Sequence, residues 1–190
     1  MTTTAAGILR QVRRVRLLTQ REFAAAVAEH QSSIADFERG KHDPAVDRLD
    51  RLVGAFGYRL TALPTRRHTV ADAADAIYLW LRQGRRDNAY RELIQLNDDF
   101  GAEDGALAVA LAVSPPAPVG DAGFDVFIAA LVEHHLEAKG LPVPSWTAAT
   151  PRLERPWIVD EFADDDVEAR TPNAFRRRNI HIDAAELASV

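Results

Sequence analysis

The sequence predicts a mainly α protein: an N-terminal bundle of four to five helices followed by a short strand, then a second, mostly helical part with minor β. Apolar residues recur at helical spacing along most of the chain, and helix-start and helix-stop signals punctuate them. Charge divides the chain in two. Residues 1–68 contain 12 Lys and Arg against 7 Asp and Glu, net +5, and residues 69–190 contain 11 against 21, net −10, which sum to the −5 of the whole.

In the first part, residues 5–17 set Ile8, Val12, Val15 and Leu17 among Arg10, Arg13, Arg14 and Arg16, an amphipathic basic helix whose Arg10, Arg14 and Arg16 are expected on a solvated face. Thr19 is a good N-cap with Glu22 three residues on, the reciprocal capping-box arrangement, and Phe23, Ala24 and Val27 follow as an apolar face. The chain restarts at Gln31. Ile34 and Phe37 face inward there, whereas Gln31, Ser32, Ala35, Asp36 and Arg39 point away. Val46, Leu49, Leu52, Val53 and Phe56 define the next helix, stopped by Gly57, and the alternation in YRLTALP (58–64) predicts a short strand whose pairing partner would lie across a dimer axis.

Two short helices joined by a tight turn, the second with small polar residues outward, are shaped for a DNA groove. The string from Thr19 to Pro44 resembles the helix-turn-helix of the Cro/C-repressor superfamily, matching at Thr19, Gln20, Ala24, Gln31, Ser32, Ile34, Glu38, Gly40, Lys41 and Pro44. Ala28 stands where that family has its turn glycine, which implies a strained or differently shaped turn. Ala35 replaces the serine after the isoleucine.

The resemblance implies roles on double-stranded operator DNA. Gln31, Ser32 and Ser33 lie where such proteins reach base edges, with Ala35 on the same open face, and Gln31 suits a bidentate pair to adenine. Asp36 would either accept from cytosine N4 or repel phosphate and filter sites. Gln20 at the start of the preceding helix is implied to touch the backbone or an outer base, Arg21 beside it is a further DNA-contact candidate, and Arg39 and Lys41 beyond the reading helix are phosphate-contact candidates. Arg13 and Glu38 are implied as an internal ion pair. A homodimer follows from geometry: two copies about a two-fold axis read half-sites roughly 34–36 Å apart.

The joint is expected at Pro64–His68, giving a DNA-binding domain at 1–68 and a partner-binding or sensing domain at 69–190. Thr69 opens a helix with Ala73, Ala76, Ile77, Trp80 and Leu81 inside. Asp87 caps another with Ala89, Leu93, Ile94 and Leu96, residues 103–113 form a third, and SPPAPVG makes a rigid turn. The strongest helix runs through GFDVFIAALVEHHLEAKG, burying Phe124, Phe127, Ile128, Leu131, Val132 and Leu136. LPVPSW is extended, since proline excludes helix. Asn179–Ile182 is a candidate strand, with Asp183 capping a last helix.

Catalytic chemistry has little support. Glu133, His134 and His135 lack the HExxH spacing of a metal site, and the pair is expected at a solvated helix end. Asp164–Asp166 reads as a solvated acidic run, and Arg176–Arg178 as a solvated basic turn or a partner contact. The chain has no cysteine, which removes disulfides and thiolate chemistry. No cofactor and no metal are expected. With no long apolar run and no leader, the expectation is a soluble cytoplasmic protein without a membrane partner, nucleoid-associated on DNA.

The ending Phe175, Arg177, Arg178, Ile180, Ile182, Ala184, Glu186, Leu187, Ser189, Val190 resembles that of actinobacterial helix-turn-helix proteins which look like antitoxins of nucleotidyltransferase-like toxins. The resemblance implies a repressor whose second half holds a toxin protein. Two alternatives stay open: a ligand-sensing repressor with a pocket lined by Trp80, Trp146 or Trp157, and an enzyme with an appended DNA-binding head.

Overall fold

The computed structural model describes residues 4–159 and 166–188. The first four helices are α1 (Ala5–Val15), α2 (Gln20–Ala26), α3 (Gln31–Glu38) and α4 (Val46–Gly54). Their start signals are local: the Thr4 hydroxyl accepts from the Gly7 amide, and Thr19 and Glu22 close the capping box. Leu9, Val12, Phe23, Ile34, Phe37, Leu52 and Val53 are buried together, and the Phe23 and Phe56 rings stack at 4.7 Å. Each such side chain contributes about 1.5–3 kcal/mol on burial. Val46 and Leu17, expected inside, are 74% and 83% exposed.

The ends of α1, α2 and α3 share one geometry. In each, a residue with positive φ follows the cap, and the next amide reaches back to a carbonyl in the last turn: Leu18 to Arg13 at 3.1 Å, Glu29 to Ala24 at 2.9 Å, Lys41 to Asp36 at 3.1 Å. The residue with positive φ is Leu17 (+55°), Ala28 (+54°) and Gly40 (+66°) in turn. Only the third has no Cβ to strain. The expected strained turn at Ala28 is therefore present, and Leu17 repeats it.

Residues 58–63 form no strand. Alternating apolar residues do not suffice without a neighbouring ladder, and the Leu60 amide instead donates to the Asp50 carboxylate at 3.0 Å.

The second half begins with α5 (Val70–Arg82), α6 (Arg86–Ala102) and α7 (Gly105–Ala112), followed by α8 (Ala122–Ala138) and α9 (Ser145–Ala149). Then come β1 (Trp157–Ile158), α10 (Val167–Arg170), α11 (Asn173–Arg176), β2 (Ile180–His181) and α12 (Ala184–Leu187). Thr69 and Asp72 close a second capping box. Helix α6 starts at Arg86, so Asp87 sits in its first turn rather than capping it. Ser145 and Trp146 are helical, since the restriction set by Pro144 acts on the residue before it. Helix α8 is central, with all six expected residues buried, and Trp157 lies 5.6 Å from both Phe124 and Phe127. Ile94 is 49% exposed.

The chain's end returns to this core through a parallel pair, Trp157 opposite Ile180 and Ile158 opposite His181. Asp183 caps α12 by accepting from the Ala185 amide, as expected. The basic turn before β2 is solvated only in part: Arg176 and Arg177 are exposed, and Arg178 is not. Arg177 bonds Glu133 and Glu137 on α8, and Arg178, buried, donates to the Thr147 carbonyl at 2.7 Å and pairs with Glu133 at 2.7 Å. His135 is also inside: Nε2 donates to Asn97 Oδ1 at 2.9 Å, while Asn97 Nδ2 donates to the Leu187 carbonyl. His134 is half-buried. Asp164 and Asp165 lie outside the described residues.

Helix α1 belongs to two neighbourhoods. Leu9 and Val12 face the first core, while its other side lies on α5 and residues 114–119. Gln11 is 6% exposed; its amide donates to the Pro115 carbonyl at 2.7 Å and its oxygen accepts from the Ala117 amide at 3.0 Å. Arg14 lies over the Tyr78 ring, 3.4 Å from the centroid, and donates to the Pro118 carbonyl. Arg10 grips the Asp75 carboxylate with Nε at 2.9 Å and Nη2 at 2.6 Å. The expectation of a solvated arginine face thus holds for exposed Arg16 and fails for Arg10 and Arg14, whose partners are remote in sequence. Among the described residues, no helix is long and apolar enough to cross a membrane.

Candidate nucleic-acid interface

Helix α3 presents its start outward and its end inward. Ile34 and Phe37 are buried in the first core, which fixes the helix's rotation about its axis. That rotation leaves Gln31 and Ser32 exposed and Ser33 and Ala35 half-buried on the opposite side. The N-cap position belongs to His30, whose side chain makes no capping bond. Gln31, Ser32 and Ser33 are therefore not serving as the helix's cap, and the N-terminal end of the helix carries a partial positive charge.

At the other end Glu38 is buried and receives three side-chain bonds on its carboxylate. Arg13 donates with Nε at 2.6 Å and Nη2 at 2.9 Å, and Gln20 donates with Nε2 at 2.9 Å. The implied Arg13–Glu38 pair is present. Gln20, expected at the DNA backbone, has its amide turned onto that pair, so α2 and α3 are tied across the turn.

Asp36 lies half-buried on α3 and gathers the two cations that follow it. Lys41 Nζ is 2.9 Å from Oδ1, and Arg39 bonds the same oxygen. The hydrogen bonds from Lys41 and then Arg39 hold the Asp36 carboxyl below the usual range. Arg39 and Lys41 remain exposed, as does Arg21. The structure thus brings Asp36, Arg39 and Lys41 into one cluster, with Gln31, Ser32 and Ser33 about one turn from Asp36 along α3 and Arg21 on α2.

Sequence reasoning missed Arg10. Its Nη1 donates to the backbone carbonyl of Glu38, the last residue of α3, while its other two donors hold Asp75. The Asp75 hydrogen bond raises the guanidinium's pKa further. No local pattern signals this contact.

Residues 9–63 match the model of a helix-turn-helix family, which spans α1 to α4 and the segment beyond. No curated protein and no solved structure matches the chain.

Proposed function

We propose that this chain, whose residues 9–63 are a DNA-binding helix-turn-helix domain of a transcription regulator, is a sequence-specific repressor acting as the antitoxin of a toxin–antitoxin pair. The observation that carries the DNA reading is the orientation of α3. Its inner face and end are locked by Ile34, Phe37 and the Glu38 bonds, while Gln31 and Ser32 are left exposed and Ser33 half-buried at its N-terminal end. Those three residues and Ala35 meet base edges. Arg21, Arg39 and Lys41 meet phosphate, and Gln20 stays at the margin. A homodimer reads two half-sites. Such a protein works in the cytoplasm, at the nucleoid.

The second half, residues 69–190, holds a protein rather than a small molecule. Two hollows in it, one beside His68 and Asp99 and one between Tyr90 and Leu187, offer about 10 and 20 Å³. Each has room for about one water, whereas small-molecule sites span roughly 300–1,000 Å³. The three tryptophans have separate duties: Trp80 donates to Glu92, Trp146 to the Ala112 carbonyl, and Trp157 packs on α8.

The test is selection of bound duplexes from a random pool by the full-length protein, together with capture of partners from its native cell. One enriched sequence and one captured toxin-like protein are expected. Failure to enrich any sequence would overturn the repressor reading, and enrichment without a protein partner would overturn the antitoxin reading.

A further inference from the structure

We infer that Arg10 is a positioning residue through which the second half of the chain sets the fit of α3 to DNA; the inference rests on the repressor reading above. The Arg10 guanidinium has five donors in a rigid fork, and here they are divided between two halves of the molecule. Nε and Nη2 hold both oxygens of Asp75 on α5, and Nη1 holds the Glu38 carbonyl at the end of α3. The Asp75 side chain is 9% exposed and that of Arg10 15%, so the pair is largely withdrawn from water and weakly screened by salt.

The geometry makes α3 answer to α5. The carbonyls of a helix's last turn have no partner within the helix. One of these in α3 is satisfied by a group whose direction is fixed by a carboxylate on another element. Close by, the Glu38 carboxylate is fixed by Arg13 and Gln20, so backbone and side chain of one residue are both tied to α1. Gln11 and Arg14 bond residues 115–118, so α1 is held to the second half at further points besides Asp75. A shift of α5 therefore moves Arg10 and tilts the far end of the reading helix. Bidentate contacts such as glutamine to adenine depend on placement to within a fraction of an ångström, whereas phosphate contacts by long cations adapt.

The experiment uses the full-length protein and the duplex it enriches from a random pool, with a scrambled duplex beside it, well below the melting temperature and over a series of salt concentrations. Asp75→Asn and Arg10→Lys are each expected to weaken the enriched duplex about tenfold and the scrambled one little. The slope of log affinity against log salt stays that of the wild type, because no phosphate contact is lost. Asp75→Glu restores part of the loss. Arg10→Lys retains the charge and decides the matter if Asp75→Asn fails to fold. Variants that melt earlier yet bind both duplexes like the wild type would show Arg10 to be structural only, and a shallower salt slope for Arg10→Gln, which removes the charge, would make it a phosphate contact; either overturns the inference. If the wild type enriches no sequence, the repressor reading falls and this inference with it.

Discussion

Arg13 on α1 and Glu38 at the end of α3 meet as a two-point pair, Nε to Oε1 at 2.6 Å and Nη2 to Oε2 at 2.9 Å. The Glu38 side chain is 4% exposed, so removing it strands a guanidinium among buried atoms and releases Gln20 as well. Glu38→Ala is expected to cost about 3 kcal/mol of folding stability. Urea unfolding of the full chain measures it, and a loss within the error of extrapolation would show the pair to be dispensable.

Leu17 and Ala28 carry side chains where the backbone is left-handed. That conformation costs a residue with a Cβ roughly 1–2 kcal/mol, part of which glycine returns as unfolded-state entropy. Leu17→Gly and Ala28→Gly should each raise stability by about 1 kcal/mol, read as a shift of roughly 2–4 °C in the melting midpoint. A lower midpoint in both would contradict the strain.

Gln31 and Lys41 should separate by what their loss does to different DNA sequences. Gln31→Ala is expected to lose about 1–3 kcal/mol of discrimination at one base position. Lys41→Ala weakens every sequence alike and reduces the salt slope by about one ion. Titrations of matched and mismatched duplexes decide between them; equal losses on both for Gln31→Ala would remove it from readout.

Asp36 occupies Lys41 and Arg39 in the free protein. A phosphate must take these cations from the carboxylate, which then stands uncompensated beside DNA unless a base amino group meets it. Asp36→Asn should therefore bind random duplex more tightly than the wild type while its preference among sequences narrows less. Unchanged affinity for random duplex would show that the cluster does not restrain binding.

His135 gives stability a defined pH dependence. Burial lowers its pKa to about 4 in the fold, against about 6.5 in an unfolded chain. Above about 6.5 both states are neutral and the group is silent. Between 6.5 and 4 the unfolded chain takes up a proton that the folded one refuses, so stability falls with pH by about 3 kcal/mol. NMR titration of the imidazole is the direct check: His135 should stay neutral at about pH 5, and a ring already protonated there would rule out this contribution.

What could be read from the chain was what is encoded within a turn or two. The capping boxes at Thr19 and Thr69 join residues three apart, and the buried face of α8 is written at helical spacing. The inward anchors Ile34 and Phe37 and the outward Gln31 and Ser32 followed from the same rule. Partnerships over long separations escaped. Arg10 meets Asp75 65 positions on, Gln11 meets Pro115 104 positions on, and Arg177 reaches back to Glu133. An arginine whose acid lies far along the chain has the same local context as one in water. The strand expected at 58–63 failed for a related reason, since alternation describes a face and not the ladder it needs.

The double duty of α1 bears on how such proteins can be recombined. Gln11 offers its amide to residues 115 and 117 much as a neighbouring strand would, filling both hydrogen-bonding roles of its side chain. A reading head excised after residue 68 would expose that amide, Arg10 and the stacked side of Arg14 to solvent. A head grafted onto a foreign body would need a matching carbonyl, amide and acid at three fixed places. The two halves thus have separate cores and meet along one stripe of α1, so a chimaera that exchanges either half would have to match that stripe.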